Sequence, residues 1–161
     1  FLDHPETSTV RVIIHADDLD LYVQSVAHLS GHPKLLAPVT GGRERQDSVR
    51  LGLESLAADP PGIVLIHDAA RPFIDAPTIS RVIAAARETG GAIAALPVFD
   101  TIKKADGKTH PAIDNTIPRD GLWRAQTPQG FRFEPIIAAH RAAAGETLTD
   151  DAAVAERAGM K

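Results

Sequence analysis

Cysteine is absent from the 161 residues. That excludes a disulfide scaffold and a cysteine-ligated zinc centre. No excess of basic residues exists either: 17 lysines and arginines face 21 acids, for a net charge of −4, a poor match to a protein that coats nucleic acid. No apolar run approaches the roughly 20 residues of a membrane span, and the first residues show no charged-then-apolar leader pattern. No serine sits in a G-x-S-x-G elbow and no lysine in a Walker loop. The 43% apolar share is ordinary for a globular chain and excludes disorder and collagen-like repeats. One mildly acidic, cytoplasmic α/β domain over residues 1–161 is the expectation.

Apolar periodicity then orders the chain. Thr9–His15 reads as a strand and is followed by a helix with Leu19, Tyr22, Val23, Val26 and Leu29 at helical spacing. Leu35–Val39 is a second, weaker strand candidate, and Asp47 is placed to cap a helix carrying Val49, Leu53 and Leu56. Gly62–His67 is an unbroken apolar run of the kind buried between two helix layers. Asp75 and Pro77 open a helix with Ile79, Val82, Ile83 and Ala86 inward, Gly90-Gly91 stops it, and Ala92–Val98 is the next strand. Such alternation predicts a doubly wound, mostly parallel sheet. Residues 99–118 break the rhythm and read as a projecting hairpin. Residues 118–131 look too rich in turn formers for a core element, with Trp123 and Phe131 pinning a loop. Helices follow from about Glu134 and from Thr149 or Asp150, with Asp150-Asp151 complementing the second helix's dipole.

In open α/β sheets, ligands sit beyond the carboxyl ends of the strands. Two loops stand there. Thr40-Gly41-Gly42-Arg43-Glu44-Arg45-Gln46-Asp47-Ser48 allows close backbone approach to a ligand and opens a helix whose amides favour an anion; it also suits an ordinary glycine turn. His67-Asp68-Ala69-Ala70-Arg71-Pro72-Phe73 places a hard carboxylate, room and a phosphate-clamping guanidinium together; a plain Asp68–Arg71 salt bridge is the alternative. A third cluster, Arg119, Arg124, Gln126, Thr127 and Gln129, offers polar contacts to a phosphorylated polyol. His28 and His32 have metal-pair spacing, but Gly31 and Pro33 interrupt the helix between and after them and no third ligand accompanies them.

Taken in order, Gly41-Gly42-x-x-Arg45-x-x-Ser48-Val49, His67-Asp68-Ala69-Ala70-Arg71-Pro72-Phe73, Asp100-Thr101, Arg119-x-Gly121-Leu122-Trp123-x-x-Gln126-Thr127-Pro128-Gln129-Gly130-Phe131 and Thr149-Asp150 resemble the 2-C-methyl-D-erythritol 4-phosphate cytidylyltransferases, over about residues 9–158. The resemblance implies a nucleotide-diphospho-sugar transferase-like (Rossmann-like) fold with an arm at about 99–124. It implies cytidylyl transfer from CTP to 2-C-methyl-D-erythritol 4-phosphate in non-mevalonate isoprenoid biosynthesis, with release of pyrophosphate. Gly42, Arg43 and Ser48 would hold the cytosine, and Asp68 and Ala69 the ribose. Asp68 would also lie near Mg2+, which with Arg71 makes those two the catalytic pair. Arg71, Thr101, Arg119 and Thr127 would hold the acceptor phosphate. Relatives often carry an acid at position 43, so Arg43 is expected to contribute its backbone. The arm implies a homodimer in which Thr101 and Arg119 serve the neighbour's site.

The family's N-terminal glycine-rich loop, with its arginine and lysine, and a later Asn-x-Lys segment have no counterpart between Phe1 and Lys161. The chain is therefore expected to be the middle of a catalytic domain, and a cyclodiphosphate synthase is fused after it in some relatives. No nucleic-acid or membrane partner is expected. Two other readings stay open: a ribitol 5-phosphate cytidylyltransferase, and a non-catalytic dimerising α/β module.

Overall fold

A computed structural model describes residues 1–107 and 109–160. Strands β1 (Ile13–Ile14) and β2 (Val39–Thr40) pair in parallel, Ile13 opposite Val39. Both are shorter than the apolar runs that contain them. Val10 bridges Leu35 upstream, but Pro38 has no N–H to continue the ladder, and it is Val39 that donates to the Val12 carbonyl at 2.9 Å.

The main sheet has the order β3-β7-β4, with β3 at Ile63–Ile66, β4 at Gly91–Pro97 and β7 at Trp123–Arg132. β3 and β4 run in the same direction, as the strand–helix–strand pattern predicts. β7 inserts between them antiparallel to both, with Phe131 opposite Val64 and Gly91. This overturns the reading of residues 118–131 as a loop. Thr127, Pro128, Gln129, Gly130 and Phe131 are all buried, because two strands flank them and their polar side chains find partners. Trp123, expected to pin a loop, is instead 63% exposed, whereas Phe131 is buried. The expected arm is present as the antiparallel pair β5 (Ile102–Ala105) and β6 (Ile113–Ile117).

Five helices cover these sheets among the described residues: α1 (Leu19–Ser25), α2 (Arg45–Glu54), α3 (Ala76–Thr89), α4 (Phe133–Ala142) and α5 (Asp151–Arg157). α3 follows its sequence signals closely. Asp75 accepts the Thr78 amide hydrogen at 2.8 Å, Pro77 sits in the first turn, and Gly90 closes the helix at φ +95°. Its inward residues Ile79, Val82, Ile83 and Ala86 are buried. α2 begins earlier than predicted. Glu44 holds the N-cap position in an extended conformation and Asp47 lies in the first turn, because the Ser48 hydroxyl ties the turn back to the Glu44 carbonyl at 3.1 Å. α1 exposes Leu19, Leu21 and Val23, so only part of its predicted apolar face is covered. No helix among the described residues is long and apolar enough to cross a membrane.

The core lies where α2, α4 and α5 meet β3 and β7: Leu53, Val64, Phe131, Phe133, Ile136, Ile137 and Val154 are all buried there. Each such side chain contributes roughly 1.5–3 kcal/mol of burial. Across the sheet, α3 approaches so closely that a Cβ on Gly130 would stand 2.7 Å from Val82 Cγ1 and 2.9 Å from Leu65 Cδ2. The core therefore fixes the starts of α2 and α5 and the ends of β3 and β7 relative to one another.

Candidate active site

β2 runs into the glycine loop and α2. Ser48, on the first turns of α2, accepts the Gly42 amide hydrogen at 3.1 Å through its hydroxyl oxygen. The fit is close: a Cβ on Gly41 would lie 2.6 Å from Ser48 Oγ, and one on Gly42 would collide with Asp47 Cβ. Both glycines are thus required for the loop to fold onto its own helix. Arg43 projects into solvent, which leaves its backbone, rather than its guanidinium, as part of the loop.

β3 delivers His67 and Asp68 to the same sheet edge. The Asp68 amide donates to Thr127 Oγ1 at 3.1 Å, and that oxygen lies 3.0 Å from His67 Nδ1. The other ring nitrogen, Nε2, lies 3.0 Å from the Arg71 carbonyl oxygen. A carbonyl only accepts, so Nε2 carries the hydrogen; in the neutral ring Nδ1 then accepts, and the Thr127 hydroxyl donates to it. The Thr127 proton is therefore committed within the chain, tying β7 to the loop after β3.

Asp68 stands between two guanidinium groups. Arg45 reaches Oδ1 with both Nε and Nη2 at 3.0 Å, and Arg71 Nε lies 3.6 Å from Oδ2. Arg71 also donates to Gln126 Oε1, and its amide closes a turn onto the Asp68 carbonyl at 2.9 Å. The exposed, small Ala69 and Ala70 leave the loop open to solvent. His67, Ala70, Arg71, Gln126 and Thr127 line one side of a cleft of about 740 Å³.

Two buried side chains, Asp151 and His140, lie behind Asp68 and Arg45. Arg45 Nη2 donates to Asp151 Oδ2 at 2.8 Å, and His140 Nε2 lies 3.2 Å from Asp151 Oδ1. His140 and Asp151 are 0% and 1% exposed. Burial pushes the Asp151 carboxyl up, but His140 and Arg45 outweigh it and the net direction is down. Burial likewise opposes the charged form of Arg45, while Asp151 and Asp68 raise its pKa overall. Of the two acids read as complementing a helix dipole, Asp150 does cap α5, accepting the Ala153 amide at 2.8 Å. Asp151 is instead the buried partner of Arg45. The one sequence signal was Arg45 within the glycine-loop motif; nothing local pointed to its partner.

Thr101 and Arg119 are exposed on the arm. Arg119 donates to the Phe99 carbonyl, and neither residue makes a hydrogen bond or ion pair to Asp68, Arg71 or Thr127 among the described residues. The chain thus brings together Gly42 with Ser48, and Asp68 with Arg71 and Thr127, but not the two arm residues.

No group of three or more potential metal-ligating side chains occurs among the described residues. Asp68 alone, with Oδ1 held by Arg45 and Oδ2 freer, does not make an all-protein cage. It does suit Mg2+, which keeps several waters and takes one or two carboxylates beside substrate phosphates.

Known proteins resemble this chain in sequence and fold. Residues 1–161 match the profile of the family described as IspD, 2-C-methyl-D-erythritol 4-phosphate cytidylyltransferase. The chain belongs to this cytidylyltransferase family. It is 58% identical over 159 residues to the bifunctional enzyme IspD/IspF of Rhodospirillum rubrum, covering 99% of this chain and 40% of that protein. The bifunctional enzyme IspD/IspF of Paramagnetospirillum magneticum is 53% identical over 161 residues, again 99% and 40%. The chain thus spans about 40% of the length of the curated relatives it matches. Among solved structures, the 4-diphosphocytidyl-2C-methyl-D-erythritol synthase of Anaerococcus prevotii aligns with a TM-score of 0.83 at 29% identity, covering 99% of this chain and 68% of that one. The 2-C-methyl-D-erythritol 4-phosphate cytidylyltransferase of Thermus thermophilus aligns with a TM-score of 0.67 at 38% identity, covering 80% and 63%. The α/β cytidylyltransferase fold expected from the motifs is therefore the one present, with β7 as its antiparallel member.

Proposed function

We propose that this chain provides the cytidine- and acceptor-binding part of an enzyme that transfers the cytidylyl group of CTP to 2-C-methyl-D-erythritol 4-phosphate. The observation that carries the reading is the Asp68 carboxylate, fixed at a strand end between Arg45 and Arg71 and adjoining an open cleft. Family membership supports the reaction, and the motif resemblance, with which the geometry is consistent, supports the following tasks for its residues. Backbone groups of Gly42 and Arg43, with Ser48, hold the cytosine; Asp68 and the small Ala69 meet the ribose. Arg71 faces the acceptor phosphate, and Thr127 keeps the Asp68 loop in place. A Mg2+ ion, held by Asp68 and the nucleotide phosphates, would neutralise charge on the triphosphate.

An acceptor phosphate oxygen attacks the α-phosphorus in line, the new P–O bond forms, and the bond to the pyrophosphate oxygen breaks. No protein nucleophile is required. The work is positioning and neutralisation of charge, for which arginines and one carboxylate suffice as residue types. Thr101 and Arg119, which make no hydrogen bond or ion pair to the cluster within their own chain among the described residues, fit a homodimer in which each arm completes the neighbour's acceptor site. The names of the two bifunctional relatives support a place for this chain as the cytidylyltransferase part of a polypeptide that also carries a cyclodiphosphate synthase.

Pyrophosphate release by the full-length gene product tests the reading, with CTP, Mg2+ and either methylerythritol phosphate or ribitol 5-phosphate offered in parallel. Turnover with the first acceptor, abolished by Asp68→Ala, supports it. Robust turnover with ribitol 5-phosphate instead would overturn the substrate, and silence with both would leave a binding module.

A further inference from the structure

Arg45 occupies an unfavourable position for a cation. It is the first residue of α2, where the helix dipole is positive and a basic side chain is of the wrong sign. Two carboxylates offset that cost. Asp68 lies on the open side, one-third exposed; Asp151 lies on the inner side, 1% exposed. A carboxylate so buried is itself expensive unless paired. Its setting is nevertheless built with care. Gln129 on β7 donates to Asp150 Oδ2 at 2.9 Å and accepts the Ala152 amide at 2.9 Å, clamping the start of α5 to the sheet. His140 from α4 faces the second oxygen of Asp151. β7, α4 and α5 thus converge to hold one negative charge behind Arg45.

The guanidinium is a rigid fork, so fixing one edge orients the other. With Nη2 on Asp151, Nε and Nη2 together meet Asp68 Oδ1, which turns Oδ2 toward Arg71 and solvent. We propose that Asp151 is a positioning residue of the nucleotide site, acting through Arg45 to set the orientation of the Asp68 carboxylate. The proposal rests on the functional reading above for its kinetic consequence, but not for its structural one.

The test uses the full-length gene product and two readouts. The Arg45 Nε–H, assigned by its loss in Arg45→Lys, should give a distinct, slowly exchanging proton–nitrogen NMR signal, and Asp151→Asn should speed its exchange at least about tenfold. In pyrophosphate release, Asp151→Asn should lower kcat by about 10–100-fold, the range seen when the hydrogen-bond partner of a metal-ligating side chain is removed, while changing KM for CTP less than about threefold. Added to Arg45→Gln, the same substitution should cost less than about twofold more, because its effect passes through Arg45. Unchanged Nε–H exchange, or losses that multiply in the double variant, would overturn the proposal. If Asp151→Asn does not fold, Arg45→Lys decides: a compact ammonium satisfies Asp151 but cannot fork onto Asp68, so a loss of at least about tenfold in kcat supports the proposal and full activity overturns it. If the wild-type protein is silent with both polyol phosphates, the functional reading fails and Nε–H exchange alone decides the inference.

Discussion

The hydroxyl of Thr127 accepts the Asp68 amide hydrogen at 3.1 Å across 59 residues of sequence. One bond therefore fastens the loop leaving β3 to the middle of β7, and the same oxygen engages His67 Nδ1 at 3.0 Å. A residue that the family resemblance assigns to the acceptor phosphate thus spends its hydroxyl proton inside the chain.

Replacing Thr127 by valine keeps its shape and removes both bonds. The Asp68 amide and His67 Nδ1 are left without that partner, a loss of about 1–3 kcal/mol. Chemical denaturation should show that destabilisation, and kcat for pyrophosphate release should fall with it, because Asp68 loses its backbone anchor. Thr127→Ser should restore most of both quantities. If Thr127→Val instead changed only KM for the acceptor and left stability intact, the hydroxyl would be a substrate contact rather than a tether.

The lack of any bond between the arm residues and the Asp68 cluster among the described residues leads to a complementation experiment. Asp68→Ala and Arg119→Ala proteins should each be inactive. If Arg119 serves the neighbouring subunit, unfolding and refolding them together should regenerate one intact site in each mixed dimer, about a quarter of wild-type activity at random assortment. A mixture that stays inactive while forming mixed dimers would place Arg119 in its own subunit's site.

Much of this architecture is readable locally. α3 is announced by Asp75, Pro77 and Gly90, and its buried face by the spacing of Ile79, Val82, Ile83 and Ala86. The two strand-end loops are legible for the same reason: glycine, carboxylate and arginine stand next to apolar runs. β7 is not, since Thr127, Pro128, Gln129 and Gly130 carry turn-forming propensities. Their burial arises from β3 and β4, roughly 60 and 35 residues earlier in the chain. The same non-locality hides the deeper half of the site. Asp150 has a local partner in Ala153 and reads correctly as a cap, whereas Asp151 meets Arg45 across 106 residues, and no local signal distinguishes the two acids.

That buried acid also sets a pH dependence. Burial raises the Asp151 pKa, the contacts with His140 and Arg45 lower it by more, and the folded-state value lies below the ordinary one. A depressed carboxylate contributes stability that is fully present above its unfolded pKa, about 3.9, and is lost as pH falls through the folded value. Wild-type melting temperature should therefore hold near neutrality and drop below about pH 4. Asp75 and Glu54 are shifted in the same direction, so acid unfolding alone does not isolate Asp151. The comparison with Asp151→Asn does. At pH 7 that variant forfeits a charge-assisted hydrogen bond to Arg45, a cost of about 1.5–3 kcal/mol. Toward acid it has no proton to take up at this position, so the two stability curves should converge. Curves that stay parallel down to the acid transition would mean that the Asp151 charge contributes nothing to the fold.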